Sequence, residues 1–281
     1  MAHKSDFEEY TRLGEPEKAE KAEIWQIAIG LQKVDNLTPS EYLIEVAKQN
    51  IEGEITICEV HERLRRHYEA NLTSATSNKR TEEADKVSAC IAEVLFEKTF
   101  SLSPVEYIAI HKQLFAGIYK FAGKIRDYNI TKAEWVLGGE TVHYTSADNI
   151  RVTLSYDFER EKIFVYKGLS KEQIVEQIAK FISGIWQVHA FGEGNTRTTA
   201  VFMIKYLRTL GFPIKSELFI DHSLYFRNAL VRANYSNYKN NVHATQSYLN
   251  RFFRNLLLEE NNILKNQEMC VVPVDDEIDR S

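Results

Sequence analysis

The chain has little proline, glycine and cysteine. Its 281 residues include five prolines, twelve glycines and three cysteines. Helical periodicity dominates the sequence, and it contains no internal repeat or low-complexity tract. Cys58, Cys90 and Cys270 are odd in number and lack the spacing of metal ligands. We therefore expect free thiols in a reducing compartment, not a disulfide framework.

A net positive charge and long apolar runs are also missing from the chain. The net charge is −5, which excludes a global basic field for nucleic acid. No segment approaches the roughly 18 consecutive apolar residues of a membrane-spanning helix, and residues 1–6 lack the apolar region of a signal peptide. With 44% hydrophobic and 27% charged residues the chain can bury a core. We expect a cytoplasmic protein that binds neither nucleic acid nor membrane.

Helix signals divide the N-terminal part into two short helices. Thr38, followed by Pro39 and Glu41, is typical of a helix start, and Gly53 can end that helix. Thr56 and Glu59 predict a second capping box. The small polar run at residues 71–80 is interpreted as a linker.

The larger part of the chain, from about residue 80, carries further helix starts. Ser103 with Glu106 predicts one, and Ser170 with Gln173 predicts another. Further helical periodicity covers residues 197–210, 222–233 and 244–260.

One segment, residues 134–144, departs from helical periodicity. The stretches 134–137 and 140–144 flank Gly138-Gly139, which predicts a β-hairpin on a Gly-Gly turn. A lone hairpin is marginal by itself, so we expect it to lie against the helices. Residues 273–281 are acidic and aperiodic, and we predict that they are disordered.

The run from His189 to Arg197 (His-Ala-Phe-Gly-Glu-Gly-Asn-Thr-Arg) carries the chemistry. His189 can act as a base near physiological pH, and Glu193 offers the hard oxygen ligand that Mg²⁺ prefers. Gly192 and Gly194 permit positive φ and leave backbone N–H groups uncovered at the start of a helix, where an anion is favoured.

Two polar side chains complete the predicted anion site. Asn195 can donate to a phosphate oxygen, and Arg197 adds a cation in the first helical turn. The alternative is that Gly-Glu-Gly-Asn only connects two helices and that His189 packs in the core. From the residues alone both interpretations stand.

The same run resembles the signature of Fic-domain proteins, His-x-Phe-x-[Asp/Glu]-Gly-Asn-Gly-Arg-x-x-Arg. The upstream stretches 110–115 and 122–126 are also similar to the family, and the hairpin occupies the place of the family's flap. The resemblance covers roughly residues 80–260. It implies an all-α, Fic-like helical fold with a small β-hairpin flap.

The resemblance implies transfer of AMP from ATP–Mg²⁺ to a Ser, Thr or Tyr hydroxyl of a target protein. His189 would be the base and Glu193 would hold Mg²⁺. The phosphates would bind a set of loop and helix-start residues. That set is Gly192, Gly194, Asn195, Thr196 and Arg197. The flap would dock the target through main-chain pairing, using Trp135, Val136, Leu137 and Val142.

Two positions depart from the family pattern. Thr196 replaces a glycine, and Ala200 replaces the second arginine, whose contacts to the γ-phosphate are worth about 1.5–3 kcal/mol. Three interpretations stay open: altered positioning of ATP, a different phosphate-containing donor, or a weakened or silent relative that acts as a peptide-binding module.

The N-terminal segment resembles the antitoxin module found beside or fused to Fic domains. Glu52 and Gly53 fit its [Ser/Thr]-x-x-x-Glu-[Gly/Asn] pattern, whereas Lys48 replaces the hydroxyl residue. The resemblance implies that Glu52 inhibits the enzyme, although the arginine that it usually pairs with is absent. The alternative is an ordinary solvent-facing glutamate.

These observations predict three regions. An N-terminal helical inhibitory module covers residues 1–75, a Fic domain covers 76–262, and an acidic tail covers 263–281. The target protein and the oligomeric state do not follow from the sequence.

Overall fold

The computed structural model describes residues 7–70 and 77–271. Within them the chain forms α-helices and short 3-10 helices, with no β-strand and one isolated bridge between Asn237 and Val242. The predicted all-α fold is therefore confirmed. The α-helices are α1 (Glu8–Leu13), α2 (Pro16–Gly30), α3 (Glu41–Glu52), α4 (Ile57–Ala70), α5 (Ser77–Phe96), α6 (Pro104–Phe115), α7 (Ile150–Lys162), α8 (Lys171–Val188), α9 (Asn195–Thr209), α10 (Glu217–Ala233) and α11 (Ser247–Leu258). The 3-10 helices are Leu31–Asp35, Trp135–Leu137, Ala147–Asn149, Tyr238–Asn240 and Asn266–Met269.

Two sequence predictions fall on other residues. Residues 71–76 of the predicted linker and the predicted disordered end, 273–281, lie outside the described residues. The predicted tail, 263–281, includes the 3-10 helix Asn266–Met269, in which Met269 is buried.

Several predicted helix starts are confirmed in detail. Ser170 accepts a hydrogen bond from Gln173 N at 3.3 Å, and the Gln173 side chain accepts from Ser170 N at 2.9 Å. The Thr56 and Glu59 side chains cap α4 in the same reciprocal way. Ser103 Oγ accepts from Glu106 N at 3.1 Å at the start of α6. Such pairs satisfy N–H groups that have no partner inside the helix.

The predicted start of α3 was wrong by two residues. Ser40, not Thr38, is the N-cap: its side chain accepts from Leu43 N at 3.1 Å. The buried carboxylate of Asp85 fixes Ser40, because it accepts from Ser40 N at 2.8 Å. This long-range contact places the Ser40 hydroxyl where it can cap α3, whereas the sequence analysis considered Thr38 alone. Gly53 ends α3 with φ 80°, as predicted.

The predicted β-hairpin at residues 134–144 does not form. Trp135–Leu137 is a 3-10 turn, and Gly138 and Gly139 follow it with φ of 64° and 91°. The reason lies in the burial pattern. A strand sends successive side chains to opposite faces, but the consecutive Val136 and Leu137 are both buried. The adjoining Val271 N donates to Val136 O at 2.9 Å. We refer to residues 134–144 as the flap.

The chain divides into two compact units. Among the described residues, the first unit comprises 7–70, 77–101, 109–123 and 200–223, and the second comprises 102–108, 124–199 and 224–271. In the first unit α2 packs against α5, and α4 packs against α5 and α3. In the second unit α8 packs against α7 and α11.

The first unit is held by buried polar contacts as well as by its apolar core. Lys205 Nζ donates to Val94 O at 2.8 Å and to Glu97 O at 2.9 Å, which satisfies carbonyls at the end of α5. Gly30 lies so close to the Phe219 backbone that a Cβ would be 2.5 Å from the Phe219 oxygen. Only glycine permits that approach.

The second unit carries the His189–Arg197 run on a helix–loop–helix segment. The buried face of α8 includes Ile178, Ile182 and Trp186, and α8 ends at Val188. The loop 190–194 follows, and α9 begins at Asn195. None of the helices within the described residues is long and apolar enough to cross a membrane.

Candidate active site

His189 occupies a strained position directly after α8. Its backbone is left-handed, with φ 48° and ψ 56°, and its N–H donates to Trp186 O at 3.0 Å. A non-glycine residue in this region costs about 1 kcal/mol or more and needs support from its surroundings. The side chain is 3% exposed, and neither ring nitrogen has a hydrogen-bond partner within the described part of the chain.

Aromatic rings and nearby cations keep the His189 imidazole neutral. The ring lies 4.0 Å from the Tyr144 ring and 5.5 Å from the Trp186 ring, centroid to centroid. Burial lowers the pKa of His189 well below its ordinary value, and Lys132 and Arg126 lower it further by charge repulsion. A neutral imidazole with uncommitted nitrogens can accept a proton.

Arg126 holds the backbone at this turn. Its Nε donates to His189 O at 2.7 Å and its Nη1 to Tyr128 O at 2.6 Å, and its Nη2 donates to Thr145 O. Its backbone N donates to Ala190 O at 2.9 Å. The guanidinium thus satisfies carbonyls at the end of α8 and fixes the left-handed residue. Sequence reasoning noted residues 122–126 only as family-like and assigned Arg126 no role.

The loop that follows His189 is closed by Asn195. The Asn195 Oδ1 accepts from Phe191 N at 3.0 Å, and its Nδ2 donates to Phe191 O at 2.8 Å. Of the two loop glycines Gly194 alone has positive φ, at 76°. Asn195 is 2% exposed. In this structure its side chain therefore shapes the loop, and a contact to phosphate stays a prediction.

The two departures from the family pattern have different surroundings. Thr196 is in the first turn of α9, where its hydroxyl accepts from Trp186 Nε1 at 3.0 Å and so joins the last turn of α8 to the start of α9. Ala200 is fully buried. Arg197, on the same turn as Thr196, is 1% exposed. The threonine hydroxyl thus has a structural role that the sequence did not reveal.

Glu193 is the exposed carboxylate of the loop. Its Oε2 lies 2.7 Å from Lys132 Nζ, with the glutamate side chain 54% exposed and the lysine 22% exposed. No group of three or more His, Cys, Asp or Glu side chains that fits a metal lies within residues 7–70 and 77–271. A single carboxylate nevertheless suits Mg²⁺, which takes one or two carboxylates together with water and phosphate oxygens. The donor set therefore fits a metal that arrives with a phosphate ligand.

Glu134 and Arg227 form an ion pair beside Tyr144, one of the aromatic residues that contact the His189 ring. Glu134 is 1% exposed, and its Oε2 lies 2.8 Å from Arg227 Nη2. Tyr144 donates from its hydroxyl to Glu134 Oε1 at 3.2 Å. Burial raises the pKa of Glu134, against the opposing effect of Arg227. Because Tyr144 also contacts the His189 ring, this pair supports the base. Neither Glu134 nor Arg227 was predicted, since no local pattern marks a long-range pair.

The structure gives different exposures to the predicted docking residues of the flap. Trp135 is 52% exposed. Val136, Leu137 and Val142 are buried, with at most 1% exposure. Trp135 is therefore the side chain of this set that a target can reach without rearrangement.

Glu52 lies in the first unit, in the last turn of α3. Its Oε2 lies 2.7 Å from Lys18 Nζ. Hydrogen bonds from Lys18 and then from Tyr10 lower the pKa of Glu52. Burial and the Glu52 carboxylate raise the pKa of Tyr10 to about 12. Glu52 thus has a cationic partner of its own within that unit.

Comparison with known proteins finds similarity over part of the chain. Residues 101–207 match the model of the Fic/DOC family. The chain is 26% identical over 142 residues to protein adenylyltransferase VbhT of Bartonella schoenbuchensis. This match covers 50% of the chain and 27% of the relative, so the chain spans about a quarter of that protein's length.

Two solved structures share the fold. One is the N-terminal FIC domain of Bep8, a VirB-translocated Bartonella effector protein from Bartonella sp. 1-1C, with a TM-score of 0.51, 16% identity, and coverage of 66% of this chain and 87% of that one. The other is the N-terminal Fic domain of a Bartonella effector protein from Bartonella sp. AR 15-3, with a TM-score of 0.51, 17% identity, and coverage of 65% and 83%. The match to the Fic/DOC family model, over residues 101–207, includes the helix–loop–helix segment around His189.

Proposed function

We propose that this chain is a protein adenylyltransferase that transfers AMP from ATP to a Ser, Thr or Tyr hydroxyl of a target protein. The observation that carries the proposal is His189. Its buried, neutral ring has two uncommitted nitrogens and lies at the loop that leads into α9. The similarity to protein adenylyltransferase VbhT supports the same reaction.

In the proposed reaction His189 accepts the proton of the target hydroxyl. The hydroxyl oxygen then forms a bond to the α-phosphorus of ATP, the bond between that phosphorus and the bridging oxygen breaks, and pyrophosphate leaves. The proton stays on His189 until solvent removes it. Because the free imidazole resists protonation, it is ready to act as a base at neutral pH.

The loop and α9 are proposed to hold the phosphates. N–H groups at Gly192 and Gly194 and in the first turn of α9 face an anion site where the helix dipole favours negative charge. Glu193 would hold Mg²⁺, which neutralises phosphate charge when it is bound. The side chains of Asn195, Thr196 and Arg197 are buried in the free protein. The proposed contacts of these side chains to phosphate therefore require that donor binding makes them accessible.

Labelling with ATP tests the reaction. Wild-type protein, His189→Ala and the control His243→Ala are incubated with Mg²⁺ and ATP labelled at either the α- or the γ-phosphate, with protein extract as acceptor. His243 is an exposed histidine of the same unit, outside the flap and the loop. We expect α-label, not γ-label, to enter protein, and His189→Ala to lower the rate by about 100- to 10,000-fold. Transfer of the γ-label, or transfer that survives His189→Ala, would contradict the proposal.

We also propose that Glu52 restrains this activity as part of an N-terminal inhibitory module. Its carboxylate is ordered by Lys18 and Tyr10, and the resemblance of this segment to the antitoxin module implies an inhibitory glutamate at this position. Glu52→Gly should therefore raise labelling of target or of the protein itself. Glu54→Gly, at another exposed glutamate two residues away, should leave labelling unchanged. Equal labelling of wild type and Glu52→Gly would remove the inhibitory role.

A second candidate is favoured by Ala200. Without the second arginine of the family pattern, the domain loses a phosphate contact while Trp135 remains exposed on the flap. This supports a catalytically silent peptide-binding module, or transfer of another phosphate-containing group. Absence of labelling from a panel of nucleotides in the Glu52→Gly protein would favour the silent module. Label from a donor other than ATP would favour the other transferase.

A further inference from the structure

Lys132 connects the segment before the flap to the loop after His189. Its backbone N donates to Thr141 Oγ1 at 3.0 Å, which fixes its main chain, while its Nζ donates to Glu193 Oε2 at 2.7 Å. The two charged residues are 61 positions apart in sequence. With 22% of its side chain exposed, Lys132 is largely covered, unlike the partners in an ordinary surface ion pair.

The charge of Lys132 reaches the other groups of the candidate active site. It lowers the pKa of His189 by repulsion, second only to burial. Burial raises the pKa of the Glu134 carboxyl, and the charge of Lys132 is among the effects that oppose this increase. The positive charge of Lys132 therefore contributes to the electrostatic potential at His189.

The contact conflicts with the metal role of Glu193. A divalent cation on this carboxylate would lie close to an ammonium that is already 2.7 Å from Oε2. Like charges at such distances repel strongly, so Lys132 must leave when a metal binds. A lysine can do so, because its charge is on a flexible four-carbon stem.

We propose that Lys132 binds the donor's phosphate: its ammonium neutralises Glu193 in the free protein and transfers to a phosphate oxygen when a metal–nucleotide complex occupies the loop. This inference rests on the proposed function. It also implies that metal and nucleotide bind cooperatively, since metal alone must displace the lysine without any compensating phosphate.

The proposal predicts two effects of opposite sign for one substitution. Lys132→Met keeps the length of the side chain and removes its charge. Metal alone should bind more tightly, because the Lys132 ammonium no longer competes with the metal for the Glu193 carboxylate. The metal–nucleotide complex should bind more weakly, because a charge-assisted contact to phosphate is lost. A purely structural lysine would weaken both or change neither.

Binding measurements on the full chain test the pair of effects. Mn²⁺ in place of Mg²⁺ is titrated alone and followed by electron paramagnetic resonance. A non-hydrolysable ATP analogue is then titrated with Mg²⁺ by calorimetry. The control Lys124→Met makes the same change at an exposed lysine of the same unit. For Lys132→Met we expect Mn²⁺ affinity to rise roughly two- to fivefold, and analogue affinity to fall about tenfold or more.

The outcomes separate this inference from the proposed function. If wild type binds the analogue and transfers α-label in a His189-dependent way, while Lys132→Met matches wild type in either titration, only the role of Lys132 is overturned. If wild type binds neither the analogue nor other labelled nucleotides, the proposed function itself fails. A fall in both affinities would show that Lys132 is structural, and would also overturn the inference.

Discussion

The helices α3 and α8 both end in the left-handed conformation, and they do so in opposite ways. At the end of α3 the residue is Gly53, with φ 80°, exposed and with nothing within 4 Å of where a Cβ would be. At the end of α8 it is His189, with φ 48°, buried and surrounded by aromatic rings. The first is the low-energy solution for a helix end. The second stores strain at the candidate base.

The difference shows what maintains strain at a functional position. Gly53 needs no support beyond its own hydrogen bonds to Asn50 O and Gln49 O. His189 is held by bonds that Arg126 makes to the carbonyls around it, and by the Trp186–Thr196 bond one turn earlier. The surroundings determine the His189 backbone, and the ring is presented with free nitrogens as a result.

The largest effect should come from removing the support of His189. Arg126→Ala leaves several buried carbonyl oxygens without their donor. We expect the free energy of unfolding to fall by about 3 kcal/mol, and transfer to be lost with it. Urea denaturation measures the first. Arg151→Ala, at an exposed arginine of α7, is the control and should change stability little. Equal stability of both variants would mean that Arg126 does not hold the turn.

The next effect concerns the bond that joins α8 to α9. Thr196→Val keeps the shape but leaves the buried Trp186 indole N–H without its acceptor. The free energy of unfolding should fall by about 1–2 kcal/mol. Thr198→Val is a useful comparison, because the Thr198 hydroxyl donates to Gly194 O within its own helix turn. If Thr196→Val were neutral, the two helix ends would not depend on this contact.

Protonation of His189 provides a third test. Its pKa is lowered from 6.5 in the folded protein, so below that pH the unfolded chain binds a proton that the folded chain does not. As far as His189 is concerned, the free energy of unfolding is therefore at its maximum above pH 6.5 and declines as the pH falls below that value. Near pH 5.5 the loss should be about 1.4 kcal/mol. The difference in stability between wild type and His189→Gln, measured by urea denaturation across this pH range, should show this slope. A pH-independent difference would mean an ordinary histidine pKa.

The same shift predicts a flat rate profile. If His189 is the base, transfer at limiting donor concentration should not fall as the pH is lowered to 6.5, because the imidazole stays neutral there. Initial rates of α-label transfer across pH measure this profile. A half-maximal rate at the ordinary histidine pKa would contradict the shift.

The smallest effect is expected at the relaxed helix end. Gly53→Ala places a Cβ on a left-handed residue in open space, so the cost is conformational only, about 1 kcal/mol. Gly184→Ala makes the same change inside α8, where the Cβ would be 3.5 Å from Asp157 Oδ2, an ordinary contact. Alanine is the better helix former there, and stability should rise or stay equal. Thermal or urea unfolding of both variants compares the two. A neutral Gly53→Ala would mean that the end of α3 rearranges at no cost.

The sequence was informative where structure follows from neighbouring residues. Helix capping at Ser170 and Thr56 is local, because a side chain three residues away satisfies the free N–H groups. The end of α8 near His189 and the start of the helix after the loop were also predicted from local signals. The cap of α3 and the flap were not. Ser40 was selected by Asp85, 45 residues away, and the flap lost its strands because Val136 and Leu137 are both buried.

The sequence alone therefore determined the helical fold, the order of most helices and the run from His189 to Arg197, because each depends on residues within a few positions of one another. Only the tertiary structure decided how that run is held. Arg126 donates to His189 O across 63 positions of sequence, and Lys132 donates to Glu193 across 61. Glu134 acts on the run indirectly, through Tyr144, whose ring packs against His189. Such contacts depend on which segments folding brings together, and no spacing in the sequence encodes them.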